Sequence, residues 1–188
     1  DTIITLTEPT ALVATLTSSS NPLCFGDSSG TLVGMATGGT SFGGSYLYSW
    51  YYSGTPGQMY SFDSSVTKAL AGTYTLVVED LNGCMDSLNN VTLTNPTQIA
   101  STLSYFDISC NGGSTVIEVL STGGTGTLQY SIDNGATQTS NIITGVLAGT
   151  HTISIIDSNS CQHDTIITLT EPTALVATLT SSSNPLCF

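Results

Sequence analysis

The chain has 188 residues and a net charge of −12, from 13 acidic residues, one lysine and no arginine. A surface this acidic repels phosphate backbones, which excludes nucleic-acid binding. Hydrophobic residues make up 39% of the sequence, enough for packed cores, so its richness in serine and threonine does not indicate disorder. No apolar run approaches the ~18 residues of a membrane-spanning helix, and no direct insertion into a membrane is expected.

Strand-like patterns follow one another from the start of the chain, with no amphipathic helix between them. The first is the β-branched run at residues 2–7. Alternation of apolar and polar residues, which is typical of half-buried strands, then recurs at 12–17, 46–52, 74–78 and 151–155. Dipeptides that favour tight turns separate these runs: Gly38-Gly39, Pro56-Gly57, Asn82-Gly83 and Asn134-Gly135.

One segment of the sequence occurs twice without a single change. The residues DTIITLTEPTALVATLTSSSNPLCF stand at 1–25 and again at 164–188. Identity over this length indicates a recent duplication, or one kept uniform by recombination. We therefore expect the chain to be a window on a longer array with a period of 163 residues.

Each period holds two related halves. LTEPTALVATLTSSSNPLCFG aligns with LTNPTQIASTLSYFDISCNGG, and LAGTYTLVVEDLNGC aligns with LAGTHTISIIDSNSC. We predict two modules, at 10–96 and 97–172. Residues 1–9 are then the last strand of a preceding module, and 173–188 the first strand of a following one. Prolines mark the successive joints, at Pro9, Pro96 and Pro172.

The spacing of the strand patterns predicts the fold. Six or seven short strands in about 80 residues are typical of an immunoglobulin-like antiparallel β-sandwich, and we expect the modules to form a rod-like array. Leu70–Tyr74 precedes a strand as a tyrosine corner does, and Trp50 stands where such sandwiches bury an aromatic residue. The second module has His151 in place of Tyr74 and Ile132 in place of Trp50.

Cysteines frame both modules. Cys24 and Cys84 flank the first, Cys110 and Cys161 flank the second, and Cys187 is the copy of Cys24. We predict the disulfides Cys24–Cys84 and Cys110–Cys161, with Cys187 pairing outside this window, and hence an oxidising compartment. Zinc is the competing interpretation, but the sequence has no C-x-x-C pair and only His163 stands near a cysteine.

Other patterns with possible chemistry have simpler interpretations. Gly26–Gly30 looks like a serine-protease nucleophile loop, but the two histidines are in the other module, so a turn is favoured. Lys68 could form an isopeptide bond, although Gly145 takes its place in the second module. No acid–base or metal constellation is present, and we expect no enzyme.

Acidic residues near the predicted loops and joints could hold calcium, which prefers several oxygen ligands in one place. They are spread out and form no D-x-D-x-D-G loop, so we expect no cofactor, with calcium at the joints as the alternative. These residues are Glu8, Asp27, Asp80, Asp86, Asp157 and Glu171.

Several segments resemble the SprB-type repeat, which occurs in very large surface adhesins of gliding Gram-negative bacteria of the Bacteroidota type. They are CFGDSSG, YLYSW, LAGTYTLVVED and VTLTNP, with SCNGGS and DSNSC in place of the framing motifs in the second half. The resemblance implies an immunoglobulin-like module, export through the type IX secretion system, and surface filaments that serve adhesion and gliding. It implies no catalytic residues.

The same resemblance implies O-glycosylation. Exported proteins of this bacterial group carry glycans at triplets of aspartate, a hydroxyl residue and an apolar residue. The candidates are Ser87, Thr165 and its copy Thr2. Coincidence is the alternative, because the motif is short and the chain is rich in hydroxyl residues.

The leading hypothesis for function is a repeat unit that builds a rigid fibre at the extracellular cell surface. Its partners are the neighbouring modules, while other parts of the protein contact a surface or a polysaccharide. The alternative is a glycan-binding module of a secreted protein, because a cluster of aromatic residues could stack on sugars if exposed. Alternation predicts that most of the cluster is core instead; it consists of Tyr46, Tyr48, Trp50, Tyr51, Tyr52 and Tyr60.

Overall fold

The computed structural model describes residues 3–41, 43–55 and 57–183. These residues form thirteen strands and no helix, which confirms the all-β prediction. The chain divides into two compact units, residues 1–98 with 123–125 and residues 99–122 with 126–188. Within the described ranges, no helix is long and apolar enough to span a membrane.

The first unit is an antiparallel sandwich of seven strands. One sheet has the order β1-β2-β5 and the other the order β4-β3-β6-β7. This is the immunoglobulin-like arrangement that the sequence predicts. The strands are β1 (Val13–Ser20), β2 (Gly30–Thr37), β3 (Leu47–Tyr52), β4 (Met59–Ser61), β5 (Ser65–Ala69), β6 (Gly72–Glu79) and β7 (Met85–Leu93).

The core of the first sandwich lies between these two sheets. Alternate residues of β6 point inward, and Tyr74, Leu76 and Val78 are fully buried against Trp50. Burying a side chain of this size contributes about 1.5–3 kcal/mol. Gly34 on β2 allows the close approach, because a Cβ there would lie 2.4 Å from Leu76 Cδ2.

The second unit is a smaller sandwich of the same kind. Its sheets have the orders β11-β9-β8 and β10-β12-β13. Where the first sandwich has β4, the second has a single bridge between Tyr130 and Gln138. Its strands are β8 (Ala100–Tyr105), β9 (Thr115–Thr122), β10 (Gln129–Ile132), β11 (Ile142–Val146), β12 (Gly149–Ile156) and β13 (Gln162–Leu169).

The predicted tyrosine corner is present, and the second sandwich reproduces it with histidine. The Tyr74 hydroxyl donates to the Leu70 carbonyl over 2.8 Å, four residues upstream. His151 Nε2 contacts the Leu147 carbonyl over 3.0 Å at the same offset. Its Nδ1 lies 2.7 Å from Asp133 Oδ2, a hydrogen bond that anchors the imidazole ring and becomes an ion pair when the ring is protonated.

Both ends of the described chain lie outside every strand. Residues 3–12 and 170–183 are without regular structure. The strand that the sequence predicts over residues 2–7 is therefore absent from the described part of that run. Its copy at 165–170 belongs almost entirely to β13.

Candidate functional site

Each sandwich has a leading end, where the chain begins its first strand, and a trailing end, where the chain leaves its last strand. Cys24 lies at the trailing end of the first sandwich, in the connection from β1 to β2. Two contacts place it there, from the Gly26 N–H to Asn95 Oδ1 (3.1 Å) and from the Thr94 N–H to Asn21 Oδ1 (2.9 Å). The cysteine loop therefore packs against the chain as it departs from β7.

Cys84 lies at the opposite, leading end, in the hairpin between β6 and β7. Asp80 organises this hairpin from a nearly buried position. Its Oδ1 accepts the N–H groups of Asn82 and Cys84, both over 2.9 Å, and its Oδ2 accepts the Thr40 N–H over 2.8 Å. These bonds from backbone N–H groups, led by those of Thr40 and Cys84, lower the pKa of Asp80.

The second sandwich repeats both arrangements. At its trailing end, the Gly112 N–H beside Cys110 donates to Glu171 Oε2 over 2.6 Å. At its leading end, Asp157 Oδ1 accepts the N–H groups of Asn159 and Cys161 over 2.8 and 2.9 Å. The two sandwiches thus carry one cysteine loop and one cysteine hairpin each, built in the same way.

The predicted disulfides Cys24–Cys84 and Cys110–Cys161 are both wrong. Cys24 and Cys161 are disulfide-bonded, whereas Cys84 and Cys110 carry free thiols. The reason is distance: the partners of each predicted pair lie at opposite ends of one sandwich, separated by the length of β7 or β13. Eight or nine residues of strand span roughly 26–30 Å, and a disulfide needs Cα atoms within about 7 Å. Cys187 lies outside the described residues.

The acidic residues do not assemble into a calcium site. Most of them accept hydrogen bonds from the backbone, as Asp80, Asp157 and Glu171 do in the loops above. Asp86 Oδ2 accepts the Ala14 N–H over 2.7 Å and so connects β7 to β1. Asp27 accepts the Cys24 N–H over 3.2 Å. In the part of the chain that the structure describes, no group of three or more His, Cys, Asp or Glu side chains could hold a metal ion.

The serine-protease-like loop is a turn. Ser29 Oγ donates to Asp27 at 2.9 Å and accepts the Leu23 N–H at 2.7 Å, so its hydroxyl is used within the loop. His151 bonds to Asp133 and to a backbone carbonyl. The side chain of Lys68 is exposed, and its backbone carbonyl accepts the Tyr60 hydroxyl.

The aromatic cluster is mostly core, as the alternation predicts. Trp50 is fully buried, and Tyr46, Tyr48, Tyr52 and Tyr60 are half-buried against the first core. Tyr52, Tyr60 and Tyr74 contact one another with interplanar angles of 33°, 56° and 79°, so their rings form no flat platform. Their hydroxyls donate to backbone carbonyls. The bond of Tyr74 is that of the predicted corner, whereas those of Tyr52 and Tyr60 were not predicted from the sequence.

The glycosylation candidates differ in exposure. Ser87 lies on the exposed face of β7. Thr165 is half-buried in β13, and its hydroxyl is 2.7 Å from that of Ser101. Thr2 lies outside the described residues. Modification of all three stays a prediction, and the geometry favours Ser87.

Comparison with known proteins gives likenesses of fold alone. No family model matches the chain, and no curated protein matches it. A structure of three N-terminal domains of the highly immunogenic outer capsid protein of bacteriophage RB49 matches with 17% identity and a TM-score of 0.43, over 85% of this chain and 59% of that one. Fibronectin(III)-like modules of Clostridium thermocellum CbhA match with 13% identity and a TM-score of 0.34, over 85% and 95%. The chain thus spans less than two thirds of the phage fragment.

Proposed function

We propose that the chain is a repeating structural unit of a long filamentous adhesin at the cell surface, exported by its host and serving adhesion and gliding. The observation that carries this proposal is the way the identical segment is used. Its part before Pro172 completes the second sandwich as β13, and its part after Pro9 begins the first sandwich as β1. The sequence that ends one sandwich therefore leads directly into the sequence that begins the other.

The joints support end-to-end addition. Six residues, 94–99, separate β7 from β8, and six residues, 170–175, separate β13 from the segment that repeats β1. Each joint contains a proline, which fixes φ and favours extended geometry in its predecessor. A tandem chain thus has joints of one length between all of its sandwiches.

The proposed role is structural rather than enzymatic. The acids and the paired histidine are engaged in holding loops, and the bonded cysteines are typical of an oxidising, extracellular compartment. The glycan-binding alternative loses its support, because the aromatic rings that suggested it pack into the core and against one another. No other observation favours it.

Filament formation can be tested on chains of one, two and four periods. Strand rise and loops give each sandwich a length of roughly 35–40 Å, so each period is expected to add roughly 70–80 Å. Negative-stain electron microscopy and small-angle X-ray scattering measure this increment. A Gly-Ser insertion after Pro172 is the control, and it is expected to shorten the mean end-to-end distance at equal period count. A length that does not grow with period number contradicts the proposal.

Exposure of the protein at the cell surface can be tested in the natural host. An antibody raised against the purified chain is expected to label intact cells as strongly as permeabilised ones. Cells lacking the gene are expected to lose both the labelling and attachment to surfaces. Labelling confined to permeabilised cells would place the protein elsewhere and end the adhesin proposal.

A further inference from the structure

Among the four described cysteines, the two bonded ones and the two free ones lie at different ends of their sandwiches. Cys24 and Cys161, which are disulfide-bonded, lie at the trailing end of the first sandwich and the leading end of the second. These are the two ends that residues 94–99 connect along the chain. Cys84 and Cys110, whose thiols are free, lie at the leading end of the first sandwich and the trailing end of the second.

In a tandem array, each free thiol has a possible disulfide partner in a neighbouring period. This step rests on the proposed function. In an array, the trailing end of each second sandwich is followed, after six residues, by the leading end of the next first sandwich. The cysteines at those two ends are Cys110 and the Cys84 of the following period. Cys110 has the place in the second sandwich that Cys24 has in the first, and Cys84 has the place in the first that Cys161 has in the second.

The local geometry of the free cysteines matches that of the bonded ones. Beside Cys24 and beside Cys110, a glycine N–H donates to the residue before the joint proline, Asn95 or Glu171. Cys84 and Cys161 each donate their N–H to an aspartate Oδ1 over 2.9 Å. Each also accepts that aspartate's own N–H over 3.0 Å. The loops of the free cysteines are therefore held by the same kind of hydrogen bonds as the loops of the bonded ones.

We propose that Cys110 of one period forms a disulfide with Cys84 of the next, so that the joint between periods is closed by a covalent bond besides the main chain. Both residues are exposed, so an oxidant can reach them. The two thiols lose two protons and two electrons as the S–S bond forms. The acceptor is the disulfide of a thiol–disulfide oxidant, which departs as a dithiol.

This bond would change how a filament responds to pulling. A disulfide between Cys110 and the next Cys84 closes a loop that contains most of a second sandwich and most of the following first sandwich. A closed loop cannot lengthen, because tension passes through the S–S bond instead of the enclosed chain. Extension of the enclosed sandwiches then requires reduction first.

Disulfide mapping of a two-period chain tests the proposal, with residues 1–188 followed by a second copy of 26–188. After equilibration in a glutathione redox buffer, thiols are alkylated and the chain is digested without reduction. Chymotrypsin is used, since one lysine per period makes trypsin uninformative. A peptide joining the first Cys110 to the second Cys84 is expected, with alkylation of those two residues below about a tenth of that of the first Cys84. Full alkylation of both, or a link from Cys84 to Cys24 of its own sandwich, overturns the proposal.

The matched control is Cys110→Ser in the first copy alone. It is expected to expose the second Cys84 to alkylation while every other cysteine keeps its state. Chain folding is followed in parallel by circular dichroism, and the exposed Cys110 makes this substitution a mild one. The mapping result does not depend on surface display. A positive map with antibody labelling only inside the cell would therefore uphold the disulfide and reject the adhesin role.

Discussion

Residues 3–6 and residues 166–169 have the same sequence and opposite structures. Ile4 is 79% exposed and Leu6 is 91% exposed, whereas their copies Ile167 and Leu169 are 6% and 4% exposed. The first set lies in no strand. The second belongs to β13 and fills the core of the second sandwich. Local sequence cannot account for the difference, because it is identical.

The following residues show the same contrast in reverse. Residues 13–20 form β1, in which Ala14 is buried and Leu16 is 36% exposed. In the copy at 176–183, Leu179 is 85% exposed and no strand is formed. β1 has β2 as its partner and β13 has β12, each paired over nearly the whole length of the strand. Strand formation here depends on a neighbouring strand that satisfies the backbone and covers one face, more than on intrinsic propensity.

The largest expected difference is between truncating Ile167 and truncating Ile4, its copy in the repeated segment. Ile167→Ala leaves a cavity in the second core and is expected to lower the free energy of unfolding by about 2–5 kcal/mol. Ile4→Ala removes the same side chain from the same local sequence and is expected to change it by less than about 0.5 kcal/mol. Urea denaturation followed by circular dichroism measures both. Equal effects would mean that residues 3–6 are packed in solution.

Supplying a partner strand is expected to abolish the contrast. A chain with a copy of residues 97–163 placed before Asp1 gives residues 3–7 the β12 sequence that their copy pairs with. Amide exchange of residues 3–7 is then expected to slow by about a hundredfold or more, as measured by hydrogen-exchange mass spectrometry. A scrambled extension of equal length is the control. Equal protection in the two extended chains would place the module boundary elsewhere.

A smaller difference is expected between the two glutamates of the repeated segment. The Glu171 carboxylate accepts the Gly112 N–H and the Asn111 side-chain amide, over 2.6 and 2.9 Å. Glu171→Ala is expected to cost about 1 kcal/mol, because the site is exposed to water, whereas Glu8→Ala changes stability little. Glu171→Gln keeps an acceptor, as Asn95 does in the first sandwich, and is expected to recover part of the loss. A Glu8→Ala loss as large as that of Glu171→Ala would contradict this interpretation.

The smallest expected effect is a pH dependence of the stability of the second sandwich, due to His151. His151 lies opposite Ile167, and both of its nitrogens face acceptors, Asp133 and the Leu147 carbonyl. The imidazolium satisfies both, and the hydrogen bond with Asp133 is the main reason why the pKa of His151 is raised. Its stabilisation is full below the unfolded pKa of about 6.5 and is lost as pH rises through the raised folded pKa.

The other limit of that pH range is set by Asp133, whose pKa the same hydrogen bond lowers. Its contribution is lost only as pH falls through the lowered value. Urea titrations at pH 5.5 and 8.5 are expected to show a less stable second sandwich at the higher pH, with His151→Gln flat over this range. Exchange at residues 3–7 is expected to show no pH effect beyond the intrinsic one. A pH effect that survives in His151→Gln would assign it to another group.

The fold class was predictable because alternation and turn dipeptides are local. The strands around Trp50, Tyr74 and Ile153 have period-two patterns, and their inward residues form the two cores. The corner at Tyr74 was also legible, since its carbonyl partner is four residues upstream. The equivalent contact of His151 could not be predicted, because it depends on Asp133 in the connection from β10 to β11, which is distant in the sequence.

The disulfides could not be predicted, because two cysteines that flank a module in the sequence need not lie close together in space. Cys24 and Cys84 bracket a module, yet the five strands β2–β6 run between their two loops, and this odd number places the loops at opposite ends. The hydrogen bonds of Gly26 to Asn95 and of Thr40 to Asp80 reveal the two ends, and both are long-range. Topology, which the sequence pattern leaves open, decides the pairing.

The two glycosylation triplets differ in exposure because they lie one residue apart relative to their hairpins. Ser87 stands three residues after Cys84 and pairs with Val77, whereas Thr165 stands four residues after Cys161 and pairs with Ile153. The pairing of β6 with β7 shifts between Tyr74 and Leu76, whereas β12 and β13 pair without a shift. Asn90, in the bulged stretch, has a φ of 61°. Successive strand residues take opposite faces, so the offset of one residue turns Ser87 outward and Thr165 inward. The bulge follows Ser87 in the chain and shifts the inward face to Val91.

The buried indole of Trp50 makes the two sandwiches separable by spectroscopy. It is the one tryptophan of the chain, it is fully buried in the first core, and its Nε1 has no hydrogen-bond partner. The second core has Ile132 at the corresponding place. Excitation at 295 nm therefore produces emission from the first sandwich alone, blue-shifted while that core is closed and red-shifted once water reaches the ring. Far-ultraviolet dichroism sums over both sandwiches, so comparing it with the fluorescence transition isolates the unfolding of the sandwich that contains no tryptophan.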